Sequence, residues 1–261
     1  MIITIANQKG GVGKTTSTMN LGVALSKAGK RVLLIDSDPQ ANLTSYLGVI
    51  PGQEPYEALR TLDEVYLAKR PLDASALSEC IAETVAGPHL IAADKNLSGV
   101  EYYLFSRSDK ERVLARFLDA VSSRYDFILI DTPPSLNLMT LNALVASDRV
   151  LIPVQSEFFS LEGIVKIREA IEKIRDQFNP KLRILGVLPT QISARRKLTG
   201  EVIQLIRDEL GDLVFEASIH DNAAVAESSG HALSVIDYDR ASRGAQDYLQ
   251  AAEELLQRSL R

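Results

Sequence analysis

Lys9-Gly10-Gly11-Val12-Gly13-Lys14-Thr15-Thr16 is the stretch of this 261-residue sequence best equipped for chemistry on a phosphate. Its glycines let backbone N–H groups converge on phosphate oxygens. A helix starting at the end of the run adds its partial positive charge. Lys14 is then placed for the outer phosphates of a nucleotide, and the Thr15 hydroxyl for Mg²⁺. The standard spacing G-x-x-x-x-G-K-[ST] is not met. With Gly13-Lys14-Thr15 fixed, its first glycine belongs at position 8, where Gln8 stands. Gly10, Gly11 and a second lysine, Lys9, follow instead. A lysine at the start of such a loop folds back poorly onto its own nucleotide, but it can reach one held by a second subunit.

Carboxylates supply the second half of the chemistry. Asp36-Ser37-Asp38-Pro39-Gln40 follows the apolar run 31–35, and Asp131 ends the apolar run 126–131. Acidic residues just past the carboxyl ends of buried parallel strands lie on the ligand side of such a sheet. Asp131 fits a Walker B carboxylate holding a water on Mg²⁺. Thr132-Pro133-Pro134-Ser135 then fits a loop that senses the terminal phosphate. The plainer alternatives are an aspartate capping a turn at 131 and a solvated turn at Asp38-Pro39.

These groups need a rigid frame, and the hydrophobic pattern provides one. Ile2–Ala6 reads as a buried strand, and 17–28 as a helix with Leu21, Ala24, Leu25 and Ala28 on one face. Further strands are expected at 31–35, 89–93, 126–131, 150–154, 184–188 and 213–215. Helices are expected at 57–70, 109–123, 161–178, 198–210 and 241–260. Residues 49–88 are the least legible part, with Pro51, Gly52 and Pro55 marking a loop. The alternation implies an α/β fold, a doubly wound, mostly parallel twisted sheet flanked by helices. Residues 1–261 read as a single domain.

Composition narrows the classes. A hydrophobic content of 46% with mean hydropathy near zero fits a soluble globular protein. No apolar run approaches the roughly 20 residues of a membrane span. The first residues already form a strand, so no signal peptide is expected. Cys80 is the single cysteine. It permits no intrachain disulfide and fits a reducing cytoplasm. The net charge of -5 excludes a globally basic nucleic-acid binder but leaves room for a local basic face.

The residues Asn7 to Thr16, Leu34-Ile35-Asp36-Ser37-Asp38-Pro39-Gln40-Ala41-Asn42, Asp131 to Ser135, Leu141-Asn142-Ala143-Leu144 and Leu161-Glu162-Gly163 together resemble the ParA/Soj branch of the dimerising deviant Walker A (ParA/MinD) ATPases. The resemblance covers nearly the whole chain. It starts at the phosphate loop, without the N-terminal helix-turn-helix domain of longer plasmid ParA proteins, and so is closest to the small chromosomal Soj type. The resemblance implies a P-loop ATPase that uses ATP and Mg²⁺. In it, Lys9 contacts phosphates across a homodimer, and residues 10–16 hold phosphate and metal. Asp38 orients or activates the attacking water, Asp36 supports the water shell of the metal, and Asp131 is the Walker B carboxylate. Thr190 lies near the adenine base.

The family implies a cytoplasmic, nucleoid-associated protein that binds DNA without sequence preference as an ATP dimer and is stimulated by a ParB-type partner. Electrostatics would carry such binding. Residues 160–200 are rich in cations, and Arg195-Arg196-Lys197 stands where the family has a DNA-binding arginine, although a solvated face is the alternative reading. The stretch 219–227 departs from the family: Asp221 and Ala224 replace two arginines and His220 a proline, so DNA binding is expected to be weakened or compensated by Arg240 and Arg243. The mixed-charge tail 245–261 argues against the membrane-binding MinD type. Cys80 alone argues against the cluster-binding nitrogenase-reductase type. Partitioning of a chromosome or plasmid, positioning of a protein-complex cargo on the nucleoid, and a biosynthetic phosphotransferase of similar fold remain as functional readings, with Lys9 arguing against the last.

Overall fold

The computed structural model describes every residue except 69–71, 157–159, 194–196 and 261. Short apolar runs bounded by turn residues become strands: β1 (Ile2–Ile5), β2 (Val32–Asp36), β3 (Ala82–Glu83), β4 (His89–Ile91), β5 (Phe127–Asp131), β6 (Arg149–Gln155) and β7 (Arg183–Thr190). They form one sheet in the order β3-β4-β2-β5-β1-β6-β7. Every pairing is parallel except β3 with β4 at the edge. The helices are α1 (Lys14–Lys27), α2 (Asn42–Tyr46), α3 (Leu62–Leu67), α4 (Ala74–Glu79), α5 (Val100–Leu104), α6 (Val113–Val121), α7 (Leu138–Ala146), α8 (Ser160–Gln177), α9 (Lys197–Leu210), α10 (Ala223–Gly230), α11 (Val235–Tyr238) and α12 (Arg243–Ser259).

Strand alternation sorts side chains into cores on the two faces of the sheet. Leu33, Ile35, Ile128 and Ile130 join Leu62, Val113 and Phe117 on one face. Leu34 and Leu129 join Leu21, Leu25, Tyr248 and Leu255 on the other. Each such fully buried side chain contributes about 1.5–3 kcal/mol of transfer free energy. Helix α1 lies so close to the sheet that a Cβ on Gly22 would stand 2.6 Å from Cδ2 of Leu34. Within this packing the buried Asn20 is bonded at both ends of its amide: it donates to Thr16 O at 2.8 Å and accepts from Val235 N at 2.8 Å.

Register sets the position of the site. The Cα partners include Ile5 with Asp131, Asp36 with Asp131, and Gln155 with Thr190. The carboxylates and polar residues at the ends of separate strands therefore line up along one carboxyl edge, beside the loop that leaves β1.

Two expected elements differ. The helix expected over 57–70 is confined to α3 among the described residues, because Arg60 N donates to Glu79 O and Thr61 is extended. The strand expected at 213–215 is a 3₁₀ turn at Gly211–Leu213 and a single bridge from Val214 to Val187. The ladder stops there because the Glu254 carboxylate accepts from Glu216 N and Ala217 N at 3.0 and 2.9 Å. Helices α2, α4, α5, α10 and α11 are too short to show a period.

Candidate active site

The loop between β1 and α1 is shaped by Gly11 and Gly13, at φ 75° and 81°, a region that L side chains rarely adopt. Gly13 is the N-cap of α1 and offers no side chain, so the first N–H groups of the helix open onto the loop. Asn7 anchors the entrance by donating to Pro153 O at 2.8 Å and accepting from Lys9 N at 3.0 Å. On the far side, Thr190 donates to Val12 O at 2.9 Å, while Gln155 and Gln191 donate to Gly11 O at 2.9 and 2.7 Å. These bonds occupy the carbonyls of Gly11 and Val12 and hold the loop against the ends of β6 and β7.

Lys14 is buried, and its ammonium donates to Lys9 O at 3.3 Å. Burial lowers its pKa, while the nearby Asp131 and Asp38 oppose the shift. Thr15 donates to Asp131 Oδ2 at 2.7 Å, and Thr18 lies 3.4 Å from Oδ1. Asp131 is inaccessible to solvent, and burial followed by repulsion from Asp36 raises its pKa to about 8. Asp36 is raised to about 6 by burial, against hydrogen bonds from Thr44. Its Oδ2 accepts from Thr44 N and Oγ1 at 2.8 and 2.7 Å, and its Oδ1 from Asp38 N at 3.2 Å. Asp38 is 7% exposed and accepts from Gln40 N at 2.9 Å. Pro134 reaches within 3.9 Å of a Cβ built on Gly10, so the 132–135 loop lies alongside the phosphate loop.

Three buried carboxylates stand beside one buried lysine, and the upward displacement of Asp131 and Asp36 reflects the cost of charging them there without a cation. Their hard oxygens and the Thr15 hydroxyl suit Mg²⁺. No group of three or more His, Cys, Asp or Glu side chains that could hold a metal ion occurs among the described residues. A cation at Thr15 and Asp131 would therefore complete its shell with water and phosphate oxygens, as Mg²⁺ commonly does.

The structure thus brings Lys9, Lys14, Thr15, Thr16, Asp36, Asp38 and Asp131 to one edge. Lys9 is exposed on the outer rim of the loop. Thr190 is placed against Val12 with its hydroxyl already bonded. Gln155, Gln191 and Thr44 also belong to the site. Only their positions after strand ends signalled the two glutamines, and Thr44 sits on a five-residue helix without a readable pattern. Arg195 and Arg196 lie outside the described residues, as does the side chain of Lys197, whose backbone opens α9. His220 holds Asp247 through Nδ1 at 2.9 Å, fixing the 219–222 segment to α12. A recess of about 320 Å³ lined by Val65, Leu77, Val113 and Phe117 contains none of the site residues.

A family model described as an AAA domain matches residues 1–184. The chain is 41% identical to the chromosome partitioning protein ParA of Caulobacter vibrioides, over 98% of this chain and 94% of that protein. It is 41% identical to the sporulation initiation inhibitor protein Soj of Bacillus subtilis, over 97% of each. Among solved structures it resembles cobyrinic acid a,c-diamide synthase of Mycobacterium smegmatis with bound ADP and magnesium, at TM-score 0.82 and 32% identity over 99% and 95% of the two chains. It also resembles apo McdA of Cyanthece, at TM-score 0.83 and 25% identity over 98% of each chain.

Proposed function

This chain belongs to the ParA/Soj family of partitioning ATPases, and from that premise we propose that it partitions a chromosome or plasmid as an ATP-dependent homodimer that binds DNA without sequence preference and responds to a ParB-type partner. It is an ATP hydrolase, converting ATP and water to ADP and phosphate. ATP and Mg²⁺ are its cofactors. The observation that carries the reading is the pairing of two lysines in one loop: Lys14 buried at the start of α1 and Lys9 on the exposed rim.

In this reading the N–H groups of residues 10–16 and the Lys14 ammonium bind the phosphates. Thr15 and Asp131 hold the metal, directly and through water, with Asp36 supporting that shell. Bound Mg²⁺ supplies charge neutralisation on the phosphate oxygens. Asp38 orients the attacking water, and Lys9 reaches the phosphates of the partner nucleotide. The work of the protein is positioning and electrostatics, which is what phosphoryl transfer demands. A second reading, positioning of a protein-complex cargo on the nucleoid, rests on the same nucleotide site and shares every step up to the partner. The similarity to a diamide synthase supports a biosynthetic reading less well, because no such chemistry needs a lysine in trans.

Duplex DNA titrated with ATP, ADP or no nucleotide tests the proposal. Binding that strengthens with ATP, together with turnover raised by the protein encoded beside it, supports partitioning. Absence of any ATP-dependent DNA binding at low salt removes both nucleoid-based readings. Replacement of Arg195, Arg196 and Lys197 by alanine should lower the salt dependence of the ATP-driven component.

A further inference from the structure

Strand β2 ends at Asp36, and its alternation continues one residue further. Leu33 and Ile35 turn into the core that holds Leu62, Val65 and Tyr66 of α3, so Ser37, next in the same alternation, is directed toward that helix. Ser37 and Tyr66 are both inaccessible to solvent. Their hydroxyls, Ser37 Oγ and Tyr66 Oη, are buried and have no hydrogen-bond partner among the described residues. Buried hydroxyls are nearly always bonded, and one left unpaired costs the desolvation of the group. Here two such groups are neighbours. Burial raises the pKa of the phenol, which keeps it a neutral donor, and the nearby Ser37 hydroxyl opposes the shift.

Tyr66 is held in place at both ends of its helix. Leu62 N donates to Ala92 O at 2.8 Å and anchors the start of α3. Tyr66 O accepts from Arg107 Nη1 at 3.2 Å, and Arg107 donates to the Asp109 carboxylate at 3.0 and 2.9 Å. Ser37, by contrast, belongs to the segment that carries two site carboxylates. Its N–H donates to Asp131 O at 3.0 Å, which extends the pairing of β2 with β5 past Asp36. Asp36 is tied to Thr44. Asp38 is bonded within its own turn: its carboxylate accepts from Gln40 N and its carbonyl from Ala41 N, both at 2.9 Å. Alternation turns the Ser37 hydroxyl away from the Asp36 side chain. It therefore offers α3 a hold on the segment from behind.

We propose that Tyr66 is a positioning residue for hydrolysis: its hydroxyl donates to Ser37 Oγ in the hydrolytic arrangement of residues 36–38, and that bond sets Asp38 for the attacking water. The proposal rests on the assignment of Asp38 to that water. The bond is made when the two oxygens come within about 2.8 Å. Because α3 is anchored, it is the 36–38 segment that moves to make it. Pairing the hydroxyls relieves two unmet groups at once, so it favours the arrangement in which they meet. Neither hydroxyl touches the nucleotide. Their effect reaches the reaction only through the backbone between Ser37 and Asp38.

Steady-state ATP turnover with Mg²⁺, measured for Tyr66→Phe, Ser37→Ala and the double variant, tests this. Tyr66→Phe keeps the ring that fills the core and removes only the hydroxyl. Each single variant should lower kcat about fivefold, the worth of one neutral hydrogen bond, with KM for ATP within twofold of the parent. The double variant should be no slower than either single one, because both remove the same bond. The urea midpoint of nucleotide-free Tyr66→Phe should equal or exceed that of the parent, since an unpaired buried hydroxyl is gone. A merely structural role would move these readouts the other way, lowering the midpoint and sparing kcat. Parental kcat in Tyr66→Phe, or losses that multiply in the double variant, overturns the proposal. Asp38→Ala keeps the two readings apart. Parental turnover there removes the role of Asp38 and this proposal with it. Slow turnover there with parental turnover in Tyr66→Phe removes the role of Tyr66 alone.

Discussion

Two lysines five residues apart have different surroundings, and their loss should have different effects. Lys14 is buried beside Asp131 and Asp38. Lys14→Ala removes the main cation for phosphate in its own subunit, so ATP affinity should fall beyond detection in equilibrium dialysis. Lys9 stands on the rim. Lys9→Ala should leave ATP binding by the monomer within a few fold of the parent and abolish ATP-dependent dimers in light scattering; normal dimers would exclude a role in trans. Asp38→Ala acts at another step. A group that orients water works in the transition state rather than on bound ATP. Its turnover should drop at least a hundredfold while dimers persist, and near-parental turnover would rule the role out. These three positions were legible because glycine, lysine and strand-terminal aspartate each have a strong local signature. Thr44 was not: its hydroxyl bonds Asp36 at 2.7 Å only because a short helix folds back eight residues later. Nor were the glutamine bonds to Gly11 O, which require the ends of β6 and β7 to lie beside a loop more than 140 residues earlier.

Elements were legible where burial on both faces left continuous apolar runs, as in β1, β2 and β5. They were obscure where a side chain took over from the backbone. Glu254 of α12 replaces a strand partner for residues 216 and 217 and also holds Arg258. Arg258 in turn donates to Asp212 O and Val214 O at 2.8 and 2.7 Å and stacks over Phe215 at 4.3 Å. A periodicity of two at 213–215 could not reveal that a glutamate 38 residues later ends the strand. Glu254→Ala leaves two backbone donors without their acceptor and removes the carboxylate partner of Arg258. It should cost about 2–3 kcal/mol of unfolding free energy in urea titration, with the denaturant slope unchanged. A loss below about 0.5 kcal/mol would mean that water replaces the carboxylate.

At the scale of the whole molecule, buried and paired carboxylates give stability two opposite pH slopes. Asp109 is held near pKa 2, first by the hydrogen bond from Arg107 and then by charge from Arg107 and Arg116, against an ordinary value of 3.8. Its contribution is present above about pH 4 and is lost as pH falls toward 2. Asp131 is displaced upward, from 3.8 to about 8. Without nucleotide and metal, its contribution is complete below pH 4 and disappears as pH rises through 8. Melting temperatures of the nucleotide-free protein should therefore fall on both sides of the acid optimum. Asp109→Asn should flatten the acid limb, and Asp131→Asn the slope between pH 4 and 8. Parallel curves for Asp131→Asn and parent would refute the upward displacement.

The last helix also decides how this protein can be handled. Tyr248 lies 3.3 Å from Ser17 in the first turns of the phosphate-loop helix, Asp247 holds His220, and Leu255 fills the core. The final turns thus belong to the catalytic scaffold, whereas Leu260 just beyond them is 89% exposed. A fluorescent reporter fused after Ser259 through a flexible linker should leave ATP turnover within twofold of the parent. Truncation before Arg243 should yield an insoluble product, because it strips α1 of its cover. Soluble, ATP-binding protein from that truncation would show that the phosphate loop holds its shape without α12.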